Sequence, residues 1–176
     1  GTVKTEEEFR AKIAESLQPQ LEANADYKFM LDVRTYCEQK VGELTWPDAL
    51  LKRIMLANNK DKGEDFVEKN YAESIKQLEW HLIKEQLVKA NDIKVEDADI
   101  KNAAKEMARM QFAQYGMSNV PEEYVDNYAN ELLKKREAVD NFIERAIDVK
   151  LAAALKSTVT LNNKEVTLEE FNEMMK

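Results

Sequence analysis

The sequence predicts an all-α fold, and three observations support this prediction. Only four glycines and three prolines occur among 176 residues, which is too few for the many turns of an all-β domain. Apolar residues recur three and four positions apart over most of the chain, which is the period of a helix. Charged residues make up 34% of the chain, so we expect an elongated multi-helix body with a large solvated surface.

The first helix is predicted to begin just after Thr5. Thr5 and Glu8 have the spacing of a capping box, in which each side chain binds the backbone N–H of the other residue. Gly42 is expected to end this helix. Pro19 is expected to kink or divide it near Ser16, because proline lacks an N–H and its ring clashes with the preceding turn.

Three further helices are predicted between residues 48 and 115. The second covers 48–57, where Pro47 suits the start of a helix. The third covers 64–90 and stops at the Asn91-Asp92 joint, because these side chains compete for nearby backbone groups. The fourth covers 95–115.

The last part of the chain is predicted to change period. A short helix at 122–128 and a long helix at 130–156 precede a segment, 159–167, in which apolar and polar residues alternate. This alternation indicates either a short β-hairpin or an extended loop. Thr167 and Glu170 form a second capping box, which predicts a short terminal helix.

Composition limits the classes of partner. The formal net charge is −8 and no run of Lys or Arg offsets it, so neither a nucleic acid nor an anionic membrane surface is expected to bind. No apolar run approaches the ~20 residues that cross a bilayer. Cys37 is the only cysteine, which fits a reducing, cytoplasmic compartment. Gly1 in place of an initiator Met suggests a cleavage scar and a missing natural start, so the absence of a signal peptide says little.

The residues with catalytic chemistry are few, and no enzyme activity is expected. His81 is the only histidine, and we interpret it as a polar residue at a helix contact. Cys37 is interpreted as a small buried hydrophobe. One histidine and one cysteine cannot form a zinc site, and no glycine pattern indicates a phosphate site. We therefore predict no metal, no cofactor and no catalytic residue.

Apolar residues of an adaptable kind gather around the loop between the fourth and fifth helices. Methionine is flexible and polarisable, so such a surface can fit unrelated partners. Burial in a core is an equal alternative, because apolar stripes at helical spacing are usually buried. The predicted binding residues are Met107, Met110, Phe112, Tyr115, Met117, Val120, Tyr124, Val125 and Tyr128.

A second candidate surface lies on the second helix. It comprises Trp46, Leu50, Ile54 and Met55. We interpret the helix face as a binding surface. Trp46 itself is either a binding anchor or a residue that staples the start of the helix by packing on Leu50, and the staple is slightly favoured.

Several helix joints, in order, resemble those of one known family. Three segments resemble the C-terminal domain of trigger factor, a bacterial ribosome-associated chaperone. They are the helix joint within 87–100, the Met-rich and aromatic tip within 107–128, and the long helix that leads to the Lys-Glu-then-Phe pattern within 136–171. The segment 46–50 also resembles the start of that domain's first arm. The residues Met117-Ser118-Asn119-Val120 depart from the family pattern as an insertion in the tip loop.

This resemblance implies both a fold and a function. The fold would be a helical body with two arms that form a cradle, as in trigger factor and SurA-like chaperones. Residues 1–176 would be a single cradle domain without the ribosome-binding and peptidyl-prolyl isomerase domains of the full protein. Its function would be ATP-independent binding of unfolded or nascent polypeptides in the cytoplasm, with ribosome contact only through the missing domain. A homodimer remains open. The alternatives are a periplasmic SurA-like chaperone core and a helical scaffold for one specific partner.

Overall fold

The computed structural model describes residues 5–117 and 119–175, and within them it confirms the all-α fold. The predictions that concern Gly1 and Ser118 fall outside the described residues. No described residue lies in a β-strand. The predicted elongated body with two arms stays a prediction. The described residues form seven helices: α1 Glu6–Val41, α2 Asp48–Asn58, α3 Gly63–Ala90, α4 Asp97–Gln114, α5 Glu122–Leu133, α6 Arg136–Thr158 and α7 Leu168–Met174.

Both predicted capping boxes are present. The Glu8 N–H donates to Thr5 Oγ1 at 3.2 Å, and the Thr5 N–H donates to Glu8 Oε2 at 3.3 Å. At α7 the equivalent distances between Glu170 and Thr167 are 3.2 and 2.8 Å. Gly42 ends α1 as predicted, with φ at 72° and its N–H bound to the Glu38 carbonyl. A positive φ is a conformation that glycine adopts without steric cost.

Pro19 does not divide the first helix, so that part of the prediction is wrong. α1 runs without interruption from Glu6–Val41 with Pro19 inside it. Proline removes the hydrogen bond that would reach the carbonyl of Glu15, four residues earlier. All residues in 5–23 are exposed, so water can hydrate that carbonyl and the cost to the helix is reduced.

The predicted boundary between the last two long helices is also wrong. One helix is predicted to end at Tyr128 and the next to begin at Asn130, whereas α5 continues to Leu133 and α6 begins at Arg136. Both helices pack on α4, so the chain must turn between them. Lys135 precedes α6 without a side-chain cap. In 159–167, every residue of which is described, there is no strand, so the extended-loop alternative holds.

The Asn91-Asp92 joint closes α3 by a Schellman motif, in which a left-handed residue follows the helix. Asp92 has φ at 48° and its N–H donates to the Lys89 carbonyl, while the Ile93 N–H donates to the Val88 carbonyl at 3.0 Å. The Asn91 side chain donates to the Leu87 carbonyl at 2.8 Å. The prediction of a helix stop here is confirmed, with aspartate rather than asparagine in the left-handed conformation.

The chain divides into two compact units, and the second has a clear core. The second unit, Leu87–Asn163, contains α4, α5 and α6, which pack on one another. Its central cluster comprises Ala103 and Ala104 of α4, Ala129 of α5 and Phe142 of α6. Small alanines let the helix axes approach closely around the one large ring. The first unit comprises the remainder of the chain, with α1, α2, most of α3, and α7.

Candidate functional site

The Met-rich and aromatic tip lies where α4 turns into α5. α4 ends at a second Schellman motif: Gly116 has φ at 77° and donates to the Ala113 carbonyl at 2.9 Å, and the Met117 N–H donates to the Phe112 carbonyl at 3.0 Å. Such motifs bring the residue after the left-handed position close to the last helical turn. The loop therefore begins with Met117 held near Phe112.

Two concavities open at this tip, and Phe112 and Tyr124 line both of them. The first has a volume of about 670 Å³ and the second of about 560 Å³, and both have more apolar than polar surface. More amide and charged residues line the second. Concave, apolar sites with a few polar groups are typical binding sites. The first is lined by Phe112, Gly116, Met117, Asn119, Val120, Pro121 and Tyr124. The second is lined by Phe112, Tyr124, Asn127, Tyr128, Asn130, Glu131 and Lys134.

The structure sorts the nine predicted tip residues by accessibility. Tyr115 is the most open, with 81% of its surface exposed, whereas Val125 is only 1% exposed and belongs to the core. Val125 therefore stabilises the helix packing and cannot contact a partner, which corrects its prediction as a binding residue. Met107 is half-buried and packs against the central cluster. The tip surface consists of the other seven: Met110, Phe112, Tyr115, Met117, Val120, Tyr124 and Tyr128.

Aromatic and sulfur contacts give the tip surface a defined shape. The rings of Phe112 and Tyr128 lie 5.5 Å apart between centroids, inclined at 53°, an arrangement that aromatic pairs favour. The Tyr128 hydroxyl is hydrogen-bonded to the Gln111 side chain. An Arg145 guanidinium nitrogen lies 3.8 Å from the Met110 sulfur. The Phe112–Tyr128 and Gln111–Tyr128 contacts therefore join α4 to α5 at the aromatic residues, and the Arg145–Met110 contact joins α6 to the same end of α4.

Four charged residues connect α4 to α5 beside the tip, and we call them the clamp. Arg109 Nη2 lies 2.8 and 2.9 Å from the two carboxylate oxygens of Glu122. Lys105 Nζ lies 3.2 Å from Glu122 and 2.5 Å from Asp126. Each cation therefore contacts the opposite helix, and Glu122 contacts both cations. Glu106 adds a further ion pair to Arg109 at 2.7 Å.

The clamp shifts the pKa values of its own members. Hydrogen bonds from Arg109 and then Lys105 hold the pKa of Glu122 below its usual value. The hydrogen bond from Lys105 does the same to the pKa of Asp126. The carboxylates in turn raise the pKa of Lys105. All three groups are therefore charged at neutral pH, and the ion pairs are present there.

The predicted surface on α2 lies in the first unit. Leu50 and Ile54 are exposed, while Trp46 and Met55 are half-buried. Ile54 and Met55 line a concavity of about 440 Å³ between α2 and α3, together with Leu51, Asn58, Asn59, Phe66, Asn70, Tyr71, Ser74, Ile75 and Leu78. This α2 surface has polar margins, because three asparagines and a serine share the lining.

Polar contacts hold α2 against α3. The Tyr71 hydroxyl donates to Asp48 Oδ1 at 2.5 Å. Lys52 Nζ lies 2.8 Å from Glu68 and 5.1 Å from the centre of the Tyr71 ring. Burial, the hydrogen bond to Asp48 and the charge of that carboxylate raise the pKa of Tyr71 to about 12. Tyr71 is thus a neutral donor under ordinary conditions.

The two residues with intrinsic chemical reactivity, Cys37 and His81, line none of the three concavities described above. Burial and the neighbouring Glu38 charge raise the pKa of the half-buried Cys37 thiol, which disfavours the nucleophilic thiolate. His81 is an exposed residue of α3. Among the described residues, no three His, Cys, Asp or Glu side chains are grouped so that they could hold a metal ion. No helix in the described part of the chain combines the length and apolarity that a membrane span requires.

Sequence reasoning missed the clamp and the amides of the second concavity. A signal for the clamp exists: basic residues four apart on α4, Lys105 and Arg109, match acidic residues four apart on α5, Glu122 and Asp126. Such spacing puts each pair on one helix face. Asn127 and Asn130 line the second concavity without any pattern in the sequence that predicts it.

The comparison with known proteins agrees with these helix joints. Residues 25–175 match the family described as probable trigger factor, C-terminal domain. No curated protein and no solved structure gives a match. The family match covers most of the chain and includes the joint, the tip and all helices from the middle of α1 to α7. The chain therefore belongs to the trigger factor C-terminal domain family.

Proposed function

We propose that this domain is an ATP-independent chaperone that binds exposed hydrophobic segments of unfolded or nascent polypeptides. One observation carries the proposal: exposed methionine and aromatic side chains line two open concavities on the tip surface. The α2 surface provides a second place for apolar contact. Family membership supports a chaperone-type role. The proposed activity is holding rather than catalysis, and it takes place in the cytoplasm.

The chemistry of the tip surface suits weak binding to many sequences. Apolar burial contributes about 25 cal/mol per Å², but the client segment loses conformational freedom when it binds. Methionine can adopt several rotamers at little cost, so Met110 and Met117 can adapt to different client side chains. The formal net charge of −8 keeps the complex in solution and disfavours acidic clients.

The test is suppression of aggregation without nucleotide. Several unrelated, chemically unfolded clients are diluted into buffer with and without the domain, and light scattering is followed. We expect protection of all of them. A variant with Met110, Tyr115 and Tyr124 replaced by serine should lose most of this protection while its helical circular dichroism signal persists.

A matched control replaces Leu17, Tyr27 and Tyr36 by serine. These side chains are also exposed, but they belong to α1 and line none of the three concavities described above. The control should protect as well as the wild type. Equal protection by the tip variant would contradict the site, and saturable binding of one partner with no protection of clients would favour the scaffold alternative.

A further inference from the structure

The loop at the tip is held at its two ends by different means. At its start, the Schellman motif at Gly116 fixes the chain by backbone hydrogen bonds. At its end, apolar packing begins only with Val125, since 121–124 are all exposed. Glu122, the first residue of α5, nevertheless contacts Arg109 and Lys105 on α4. The clamp therefore acts at the part of α5 where apolar packing is lacking.

The same geometry connects the clamp to the first concavity. On α4 the last buried residue is Ala108, so Phe112 lies one turn beyond the core. The concavity is bounded by Phe112 on α4 and by Tyr124 on α5. Glu122 lies two residues before Tyr124, and Arg109 lies three residues before Phe112. Movement of the first turn of α5 relative to α4 would therefore change the distance between the two walls.

We propose that Lys105, Arg109, Glu122 and Asp126 position the tip surface for client binding, and that they make this binding sensitive to salt. The inference rests on the proposed function of the tip. None of the four touches the client in this account; they act through Phe112 and Tyr124. These ion pairs form a network, because Glu122 contacts both cations, and a network of charges is stronger than isolated surface pairs.

The proposal predicts an unusual sign for the effect of salt. Apolar contacts are not weakened by added salt, and several salts strengthen them. Ion pairs at partly exposed positions are weakened by salt because mobile ions screen the charges. Binding of an uncharged client should therefore weaken in the wild type as NaCl is raised. If the clamp is absent, binding should be flat or should strengthen.

The experiment measures fluorescence anisotropy of an uncharged, aromatic-rich, labelled peptide with the whole chain. Arg109→Gln should weaken binding about threefold to fivefold at low salt, which is the scale of a charge network. Raising the NaCl concentration should then no longer weaken binding of the peptide to this variant. Arg10→Gln is the matched control: it also removes one arginine that lies 2.9 Å from a glutamate, Glu6, but within a single exposed helix turn. It should bind as the wild type does.

Charge exchange separates positioning from mere folding. Arg109→Glu and Glu122→Arg should each lower the affinity for the peptide. The double variant should recover at least half of the free energy of binding that each single variant loses. The proposal would be overturned if Arg109→Gln bound and responded to salt like the wild type, or if the double variant showed no recovery while its thermal unfolding matched that of the wild type. If the serine variant of Met110, Tyr115 and Tyr124 also bound normally, the proposed function of the tip would itself be wrong.

Discussion

The two units of this chain differ in how much of their apolar surface they bury. Among the described residues, eleven hydrophobic side chains are buried, and all but Val67 belong to the second unit. The first unit instead exposes a row of large apolar side chains along α1, and α1 has no buried residue at all. That row comprises Phe9, Ile13, Leu17 and Leu21, each more than 40% exposed.

The spacing of apolar residues at the helical period therefore does not by itself identify a buried core. In α5, Val125 and Ala129 lie four apart and are buried; in α1, Phe9 and Ile13 lie four apart and are exposed. The patterns look alike in the sequence. What differs is whether other helices converge on the face, as α4 and α6 do on α5. The second unit can therefore hold an adaptable tip on a rigid core.

The largest effect that tests this comparison is on stability. Leu151→Ala should destabilise the second unit by ~3 kcal/mol, because it empties a fully buried site. Leu17→Ala should change stability by less than ~0.5 kcal/mol, because Leu17 is exposed and alanine is a good helix former. Urea unfolding measures both variants, and hydrogen exchange of the α4–α6 amides assigns the effect of Leu151→Ala to the second unit.

The two leucine variants serve as controls for each other, since the chemical change is identical. Equal destabilisation by both would show that α1 has a hidden packing partner and that the contrast between the units is wrong. A small effect of Leu151→Ala alone would mean that the helices of the second unit close around the gap.

The sequence allowed prediction of features that depend on local chemistry. Four such features are confirmed, and each depends only on neighbouring residues. They are the capping boxes at Thr5 and Thr167, the end of α1 at Gly42 and the end of α3 at the Asn91-Asp92 joint. The turn at 134–135 could not be predicted, because Lys-Lys-Arg contains no helix-breaking residue. That turn exists because two helices pack on a third. Val125 and Ala129 lie four residues apart, so they share one helix face. This spacing could have indicated that Val125 is buried with Ala129 and does not belong to the candidate site.

The second expected effect is a loss of stability of the second unit at acid pH. The depressed pKa values of Asp126 and of Asp99, which is held by Lys150 at 2.5 Å, belong to the second unit. A carboxylate with a lowered folded pKa contributes stability that is present above its unfolded pKa of about 4 and is lost as pH falls through the folded value. Acid should therefore lower the hydrogen-exchange protection factors of the α4–α6 amides, which correct the observed rates for the intrinsic exchange rate at each pH.

Asp126→Asn distinguishes this mechanism from general acid unfolding. The variant should be less stable than the wild type at pH 7, and its stability should fall less on acidification, because one linked proton is gone. Glu15→Gln, an exposed change on α1, should leave the acid response unaltered. An unchanged acid response in Asp126→Asn would show that the Lys105 ion pair is not part of the pH dependence.

The smallest effect is on the first unit, and it has the opposite sign in pH. The Tyr71 hydroxyl joins α3 to α2 through Asp48, and its pKa is raised to about 12. A raised folded pKa contributes stability that is complete below the unfolded value of about 10 and is lost as pH rises through about 12. Ultraviolet absorbance of tyrosinate, taken as the difference between wild type and Tyr71→Phe, reports this one group. In Asp48→Asn the midpoint should move toward 10, because the acceptor charge that opposes ionisation is removed. The same midpoint in Asp48→Asn would show that the charge of Asp48 does not help to hold the proton on Tyr71. The contrast in pH direction between the two units needs only the raised pKa itself, so a wild-type midpoint near the ordinary value of about 10 is the result that would remove it.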